Sequence, residues 1–183
     1  MYDRAAQWNV KAHGKLDSMN YAGAVADYSE SIKLAPDVWS TYVMRGRSKT
    51  FLHDYEGAIR DYTEAIHLDS NQSYTYVDRA SAKIHAVDYR GAINDCSQSI
   101  ALNQVDAHAF IFRGMAEQRL GELDKALVDY TRAITINHEY FEAYVHRGTV
   151  FLELHQKRKA LADFKKVPES WGAVPKKYWE GCQ

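Results

Sequence analysis

Residues 54–66 read Asp-Tyr-Glu-Gly-Ala-Ile-Arg-Asp-Tyr-Thr-Glu-Ala-Ile, and the pattern returns every 34 residues. It stands as Asn20–Tyr28 one period earlier and as Asp88–Cys96 one period later, with weaker copies at Leu123–Tyr130 and Lys157–Phe164. One column of this register is alanine five times (Ala24, Ala58, Ala92, Ala126, Ala160). Another is aspartate five times (Asp27, Asp61, Asp95, Asp129, Asp163). A fixed period without insertions dictates a stacked repeat, and two helical patterns per period make each repeat a helix–turn–helix pair.

The three- and four-residue spacing of apolar positions predicts first helices over roughly 5–18, 39–52, 73–86, 107–120 and 141–154. Each carries one large residue in the column Trp8, Tyr42, Tyr76, Phe110, Tyr144, followed four residues later by a small one in Ala12, Gly46, Ala80, Gly114, Gly148. A ring beside a gap reads as a knob and a hole where two helices cross closely. Second helices begin near residues 21, 55, 89, 123 and 157. Asn20, Asp54 and Asp88 precede three of them and are suited to accept the unsatisfied N–H groups of a first turn. Pro36 follows the first repeat as a helix stop.

Taken together, the aromatic, the small residue four later, the alanine of the second helix and the linker proline resemble the tetratricopeptide repeat. The resemblance covers 1–168 as five tandem repeats and implies an all-α, right-handed α-solenoid of antiparallel helix pairs. Later linkers depart from the pattern, with Ser70, Gln104 and His138 in place of proline.

The 183 residues are 46% hydrophobic and 26% charged, with a formal net charge of −1. That balance gives no electrostatic footprint for nucleic acid or an anionic membrane. Charge is uneven: residues 1–154 hold 16 Lys/Arg against 21 Asp/Glu, and 155–183 hold 7 against 3. We read the basic end as a solvated last helix. Cys96 falls in a column otherwise Tyr28, Tyr62, Tyr130 and Phe164 and reads as a small core residue, so no disulfide framework is indicated. No apolar run reaches the length of a membrane span, and a cytoplasmic location is the expectation.

Arg45, Arg79, Arg113 and Arg147, with Lys11 in the first repeat, each precede an aspartate of the recurring column by 16 residues. The expected pairs are Arg45–Asp61, Arg79–Asp95, Arg113–Asp129 and Arg147–Asp163. A ligand seldom needs five copies of one contact, so these are expected to brace the helices of a pair.

No phosphate loop, nucleophile elbow or His-Glu-x-x-His spacing occurs, and neither an enzyme, a metal site nor a cofactor is expected. The expected site is a concave face lined by first helices. Its candidate peptide-binding residues are Met44, Arg47, Phe51, Tyr74, Asp78, His85, His108, Phe112, Met115, Arg119 and His146. Val43, Val77, Ile111 and Val145 are assigned to packing between helices. The function implied is a non-catalytic scaffold or adaptor for a protein or peptide ligand. A chaperone-like holder of a secreted client, or a self-assembly or regulatory segment of a larger protein, are the alternatives. The family's two-carboxylate clamp for heat-shock chaperone tails is not matched in any window, and Asp78 and Glu142 would repel such a tail. Finally, the register carried to Tyr178 and Cys182 predicts that the tail, 169–183, opens a sixth first helix at Pro175. Tyr178, with Trp179 or Trp171, would then cap Leu161 and Phe164.

Overall fold

The computed structural model describes residues 2–168. The expected tail helix and its contacts lie outside the described residues. Ten helices occur among the described residues: α1 (Tyr2–Asp17), α2 (Tyr21–Leu34), α3 (Trp39–Phe51), α4 (Tyr55–Leu68), α5 (Ser73–His85), α6 (Tyr89–Leu102), α7 (Ala107–Arg119), α8 (Leu123–Ile136), α9 (Phe141–Glu153) and α10 (Lys157–Phe164). No strand occurs among the described residues. The chain divides into two compact units between Leu102 and Asn103. In the N-terminal unit α1/α2, α3/α4 and α5/α6 form pairs, with α2 packed on α3 and α4 on α5. In the C-terminal unit α7/α8 and α9/α10 pair, with α8 packed on α9. Each unit is thus a solenoid of antiparallel helix pairs.

A single residue makes every turn within a pair. Met19, His53, Val87, Gly121 and His155 have φ between 58° and 77°, the left-handed conformation that closes a helix C-terminus. Around His53, the Asp54 N–H donates back to the Lys49 carbonyl at 2.9 Å, and Asp54 then caps the next helix by accepting the Gly57 N–H at 3.0 Å. Asn20 and Asp88 cap Gly23 and Gly91 in the same way, at 3.0 and 2.9 Å. The first helices therefore end one residue short of the expected boundaries, because the residue before the turn is a cap.

The close crossing inside a pair is made by a ring entering a gap, although the ring is not the expected one. A Cβ on Gly46 would stand 2.8 Å from Tyr62, and one on Gly114 2.9 Å from Tyr130. Gly148 meets Phe164 in the same manner. The knob belongs to the second helix, since a ring four residues away on the same helix lies beside the gap and cannot enter it. Tyr28, Tyr62, Tyr130 and Phe164 are consequently among the most buried side chains, with Cys96 in the same column equally buried. Burial pushes the Tyr28 hydroxyl up to about 12, and pushes those of Tyr62 and Tyr130 up as well.

Tyr42, Tyr76, Phe110 and Tyr144 instead lie beneath arginines, which sit 5.6–5.8 Å over their rings. The Tyr42 hydroxyl also donates to the Pro36 carbonyl at 3.1 Å, and that of Tyr76 to Ser70 at 3.2 Å, which ties the preceding linker to the helix.

Candidate functional site: the first-helix face

The arginine–aspartate ladder sets the frame on which this face is built. Arg45 reaches both oxygens of Asp61 (Nε 2.9 Å, Nη2 2.6 Å), and Arg79 both oxygens of Asp95 (2.8 and 2.6 Å). Arg113–Asp129 (2.6 and 2.9 Å) and Arg147–Asp163 (2.8 and 2.7 Å) repeat the fork. The aspartates are buried, so the planar two-bond geometry satisfies carboxylates that water cannot reach.

Two further groups complete the ladder. Lys49 and Lys83, one helical turn after their arginines, lie 2.8 Å from Asp61 and Asp95. The remaining Nη1 of Arg45, Arg79 and Arg147 donates to the hydroxyl of Ser29, Thr63 and Thr131, each on the preceding second helix, at 3.0–3.1 Å. Each of these arginines therefore joins neighbouring pairs as well as the helices of its own.

In the first repeat the expected Lys11 does not reach Asp27. It lies 4.5 Å over the Trp8 ring, and Lys15 takes the aspartate at 2.7 Å. A single ammonium cannot span both contacts as the guanidinium does, and the lysine one turn later stands in the place of Lys49 and Lys83.

In the N-terminal unit, Met44, Arg47 and Tyr74 come together with Trp39, Ser40 and Val43 around a hollow of about 270 Å³. Arg47 and Asp78 project from α3 and α5 and pair at 2.7 Å, and the Arg47 guanidinium lies 5.6 Å over the Tyr74 ring. The salt bridge fixes where the cation stands, and the ring beneath restricts it further. A second hollow of about 240 Å³ shares Arg47 with the first and adds Thr50, Phe51, Tyr62, Asp78 and Ser81. Val43 and Val77 are buried between helices.

Phe51 and His85 are set towards the helix ends. Phe51 stacks on Tyr21 (4.5 Å, 11°) and His85 on Tyr55 (4.7 Å, 8°), so each ring leans on the start of the preceding second helix.

In the C-terminal unit, Met115, Arg119 and His146 meet Gln118, Val145, Thr149, Leu152 and Glu153 around about 540 Å³. His146 stacks on Tyr130 (5.5 Å, 15°) and lies 3.6 Å from Glu142, whose carboxyl is held below its usual range by hydrogen bonding from that histidine. His108 and Phe112 are not among the residues around this hollow. His108 meets Tyr140 edge-on at 4.8 Å, while its backbone N–H donates to the capping Asp106 at 3.1 Å. Ile111 is buried, and Val145 is half-buried at the hollow's wall.

No cluster of three metal-ligating side chains occurs among the described residues, and no described helix is long and apolar enough to cross a membrane. Sequence reasoning missed Trp39 and Gln118 at the hollows. It also missed the Ser29/Thr63/Thr131 and Lys15/Lys49/Lys83 columns, which recur at the same 34-residue period and could have been found by it.

A family model described as tetratricopeptide repeat matches residues 107–140, which span α7 and α8. Among solved structures, the MamA protein is 25% identical, with a TM-score of 0.82 over 91% of each chain. The first tetratricopeptide domain of Spaghetti (RPAP3), solved with the HSP90 peptide SRMEEVD, is 26% identical, with a TM-score of 0.62 over 64% of this chain and 93% of that one. YrrB, described as having an unusual peptide-binding site, shares the fold at 18% identity and a TM-score of 0.72, over 87% of this chain and 82% of its own. A comparison with curated protein sequences finds no match. The chain thus carries a tetratricopeptide repeat at 107–140 within tandem helix pairs that share the fold of these tetratricopeptide-repeat structures.

Proposed function

We propose that the chain is a non-catalytic protein-interaction scaffold that holds a peptide or helix against its first-helix face. The observation that carries this reading is the hollow at Trp39, Met44, Arg47 and Tyr74. Large apolar and aromatic side chains there surround a cation whose position is set by Asp78 and Tyr74. A concave apolar site with one oriented polar group is the usual form of a small recognition site, and a peptide side chain suits its volume. The bound peptide of the RPAP3 domain supports the mode in general. The ligand proposed here differs from that acidic tail, because Asp78 sits within hydrogen-bond reach of the only cation around this hollow and leaves the pair neutral.

The test is selection of peptides from a displayed library on the full chain, followed by mapping on the Trp39 indole and Met44 methyl resonances. Selected peptides should shift both signals, and a Met44→Ala, Tyr74→Ala double variant should lose them while its melting curve stays close to that of the parent. Peptides that perturb second-helix residues alone would overturn the proposal.

A further inference from the structure

The turns of the N-terminal unit carry side chains that the fold does not need. Met19 and Val87 hold left-handed φ of 58° and 65°, which a β-branched valine adopts only under strain, and they are 75% and 67% exposed. Glycine would make the same turn without strain, as Gly121 does in the C-terminal unit. Between them, Phe51 is 60% exposed although it stacks on Tyr21, and Leu52 is 44% exposed. His53, Tyr55 and His85 continue the row as a chain of ring contacts, with His53 Nδ1 2.8 Å from the Tyr55 hydroxyl. One repeat after another therefore adds an apolar or aromatic element to the same edge. Its exposed rim is acidic: Asp17, Asp54, Glu56 and Asp88 outnumber Arg90. The lysines beneath, Lys15, Lys49 and Lys83, are spent on Asp27, Asp61 and Asp95.

We propose that this turn edge, centred on Met19, Phe51, Leu52 and Val87, is a second docking surface, which takes the apolar face of an amphipathic helix flanked by Lys or Arg. Charge complementarity selects that occupant. The acidic rim attracts basic flanks and repels an anionic lipid surface, and the exposed row matches one apolar stripe. Strain kept at exposed turns is explained if the side chains are used in binding, and it gives the surface an unusual signature: its removal should make the protein more stable.

The experiment uses the full chain and two 14-residue probes, a Leu/Lys amphipathic helix and its Leu/Glu counterpart, with binding read by fluorescence anisotropy and located by hydrogen exchange. The Lys peptide should bind and protect residues around 19, 51–52 and 87, and the Glu peptide should not. A Met19→Gly, Val87→Gly double variant should melt several degrees higher and yet bind the Lys peptide about tenfold more weakly or worse. Unchanged affinity in that variant, no binding of either peptide, or preference for phosphatidylglycerol vesicles over the Lys peptide would overturn the proposal. So would protection confined to the face around Met44 and Tyr74, a result that would leave the first-helix reading standing.

Discussion

Arg79 belongs to α5, yet its Nη1 donates at 3.1 Å to the Thr63 hydroxyl of α4, one helix pair back. Its Nε and Nη2 are committed to Asp95 in α6. Arg79→Ala should therefore weaken both the α5/α6 pair and its seam with α4. Asp95 would remain buried with Lys83 as its surviving partner, so the expected loss is at the lower end of that for a broken buried pair, about 2–3 kcal/mol. Thr63→Val should cost about 0.5–1.5 kcal/mol. A double-mutant cycle in urea should give a coupling between Thr63 and Arg79. Strictly additive effects would show that the bridge does not transmit stability between pairs.

Glu117 occupies the place held by Lys15, Lys49 and Lys83 in the N-terminal unit. It is buried, one carboxylate oxygen has no partner, and burial followed by the nearby Asp129 pushes its pKa from 4.5 up to about 7. Arg113 and Lys125 oppose that rise, and Glu122 adds to it. The folded state holds a proton that the unfolded chain gives up near 4.5, so the stabilising increment is complete below that pH and is lost as pH rises through about 7. Glu117→Gln should flatten this fall and raise stability at pH 8 by on the order of 1–2 kcal/mol, allowing for solvent access to the site. Glu117→Lys should do at least as well, since Asp129 would gain the contact that Lys49 gives Asp61. Thermal melts from pH 5 to 8 decide it, and parallel curves for parent and variants would refute the account.

The capped second helices share a glycine three residues after the cap: Gly23, Gly57 and Gly91. A Cβ at any of them would collide with the side chain of Asn20, Asp54 or Asp88. Where Lys125 and Lys159 take the glycine's place, Glu122 and Gln156 make no side-chain cap. Gly91→Ala should therefore expel the Asp88 carboxylate from the 91 amide. The lost cap, about 1 kcal/mol, is offset by a gain of about 1 kcal/mol in helix propensity. Amide exchange at residue 91 should accelerate while the melting temperature barely moves. Retained protection there would show that the cap survives.

At the first-helix face, Arg47→Ala breaks a pair whose members are 41% and 26% exposed, so a stability loss of no more than about 1 kcal/mol is expected. Affinity for peptides selected on this face should fall far more than stability, because Tyr74 and Asp78 lose the cation they orient. A melting loss proportionate to the binding loss would assign Arg47 to the frame instead.

The architecture was legible because alanine, aspartate and arginine columns recur in one register, and each contact repeats wherever its column does. The face was only partly legible. Met44, Arg47 and Tyr74 converge because α3 and α5 present equivalent positions side by side. Phe51 and His85 share that register, but their rings turn to Tyr21 and Tyr55, a choice of rotamer that column counting cannot see. Glu117 was hidden for the opposite reason: its meaning lies in breaking a lysine column that had to be recognised first.

The buried phenols also give the protein an optical label. Of thirteen tyrosines, Tyr28, Tyr62 and Tyr130 hold their protons well above the ordinary range, each with its ring inside a helix pair. In an alkaline absorbance titration the surface phenols ionise first, and these three stay dark until their own pair opens. Tyr28 and Tyr62 report on α1/α2 and α3/α4, and Tyr130 on α7/α8. Removing one hydroxyl at a time by substitution with phenylalanine would turn the late phase of that titration into a pair-by-pair record of unfolding, without any added dye.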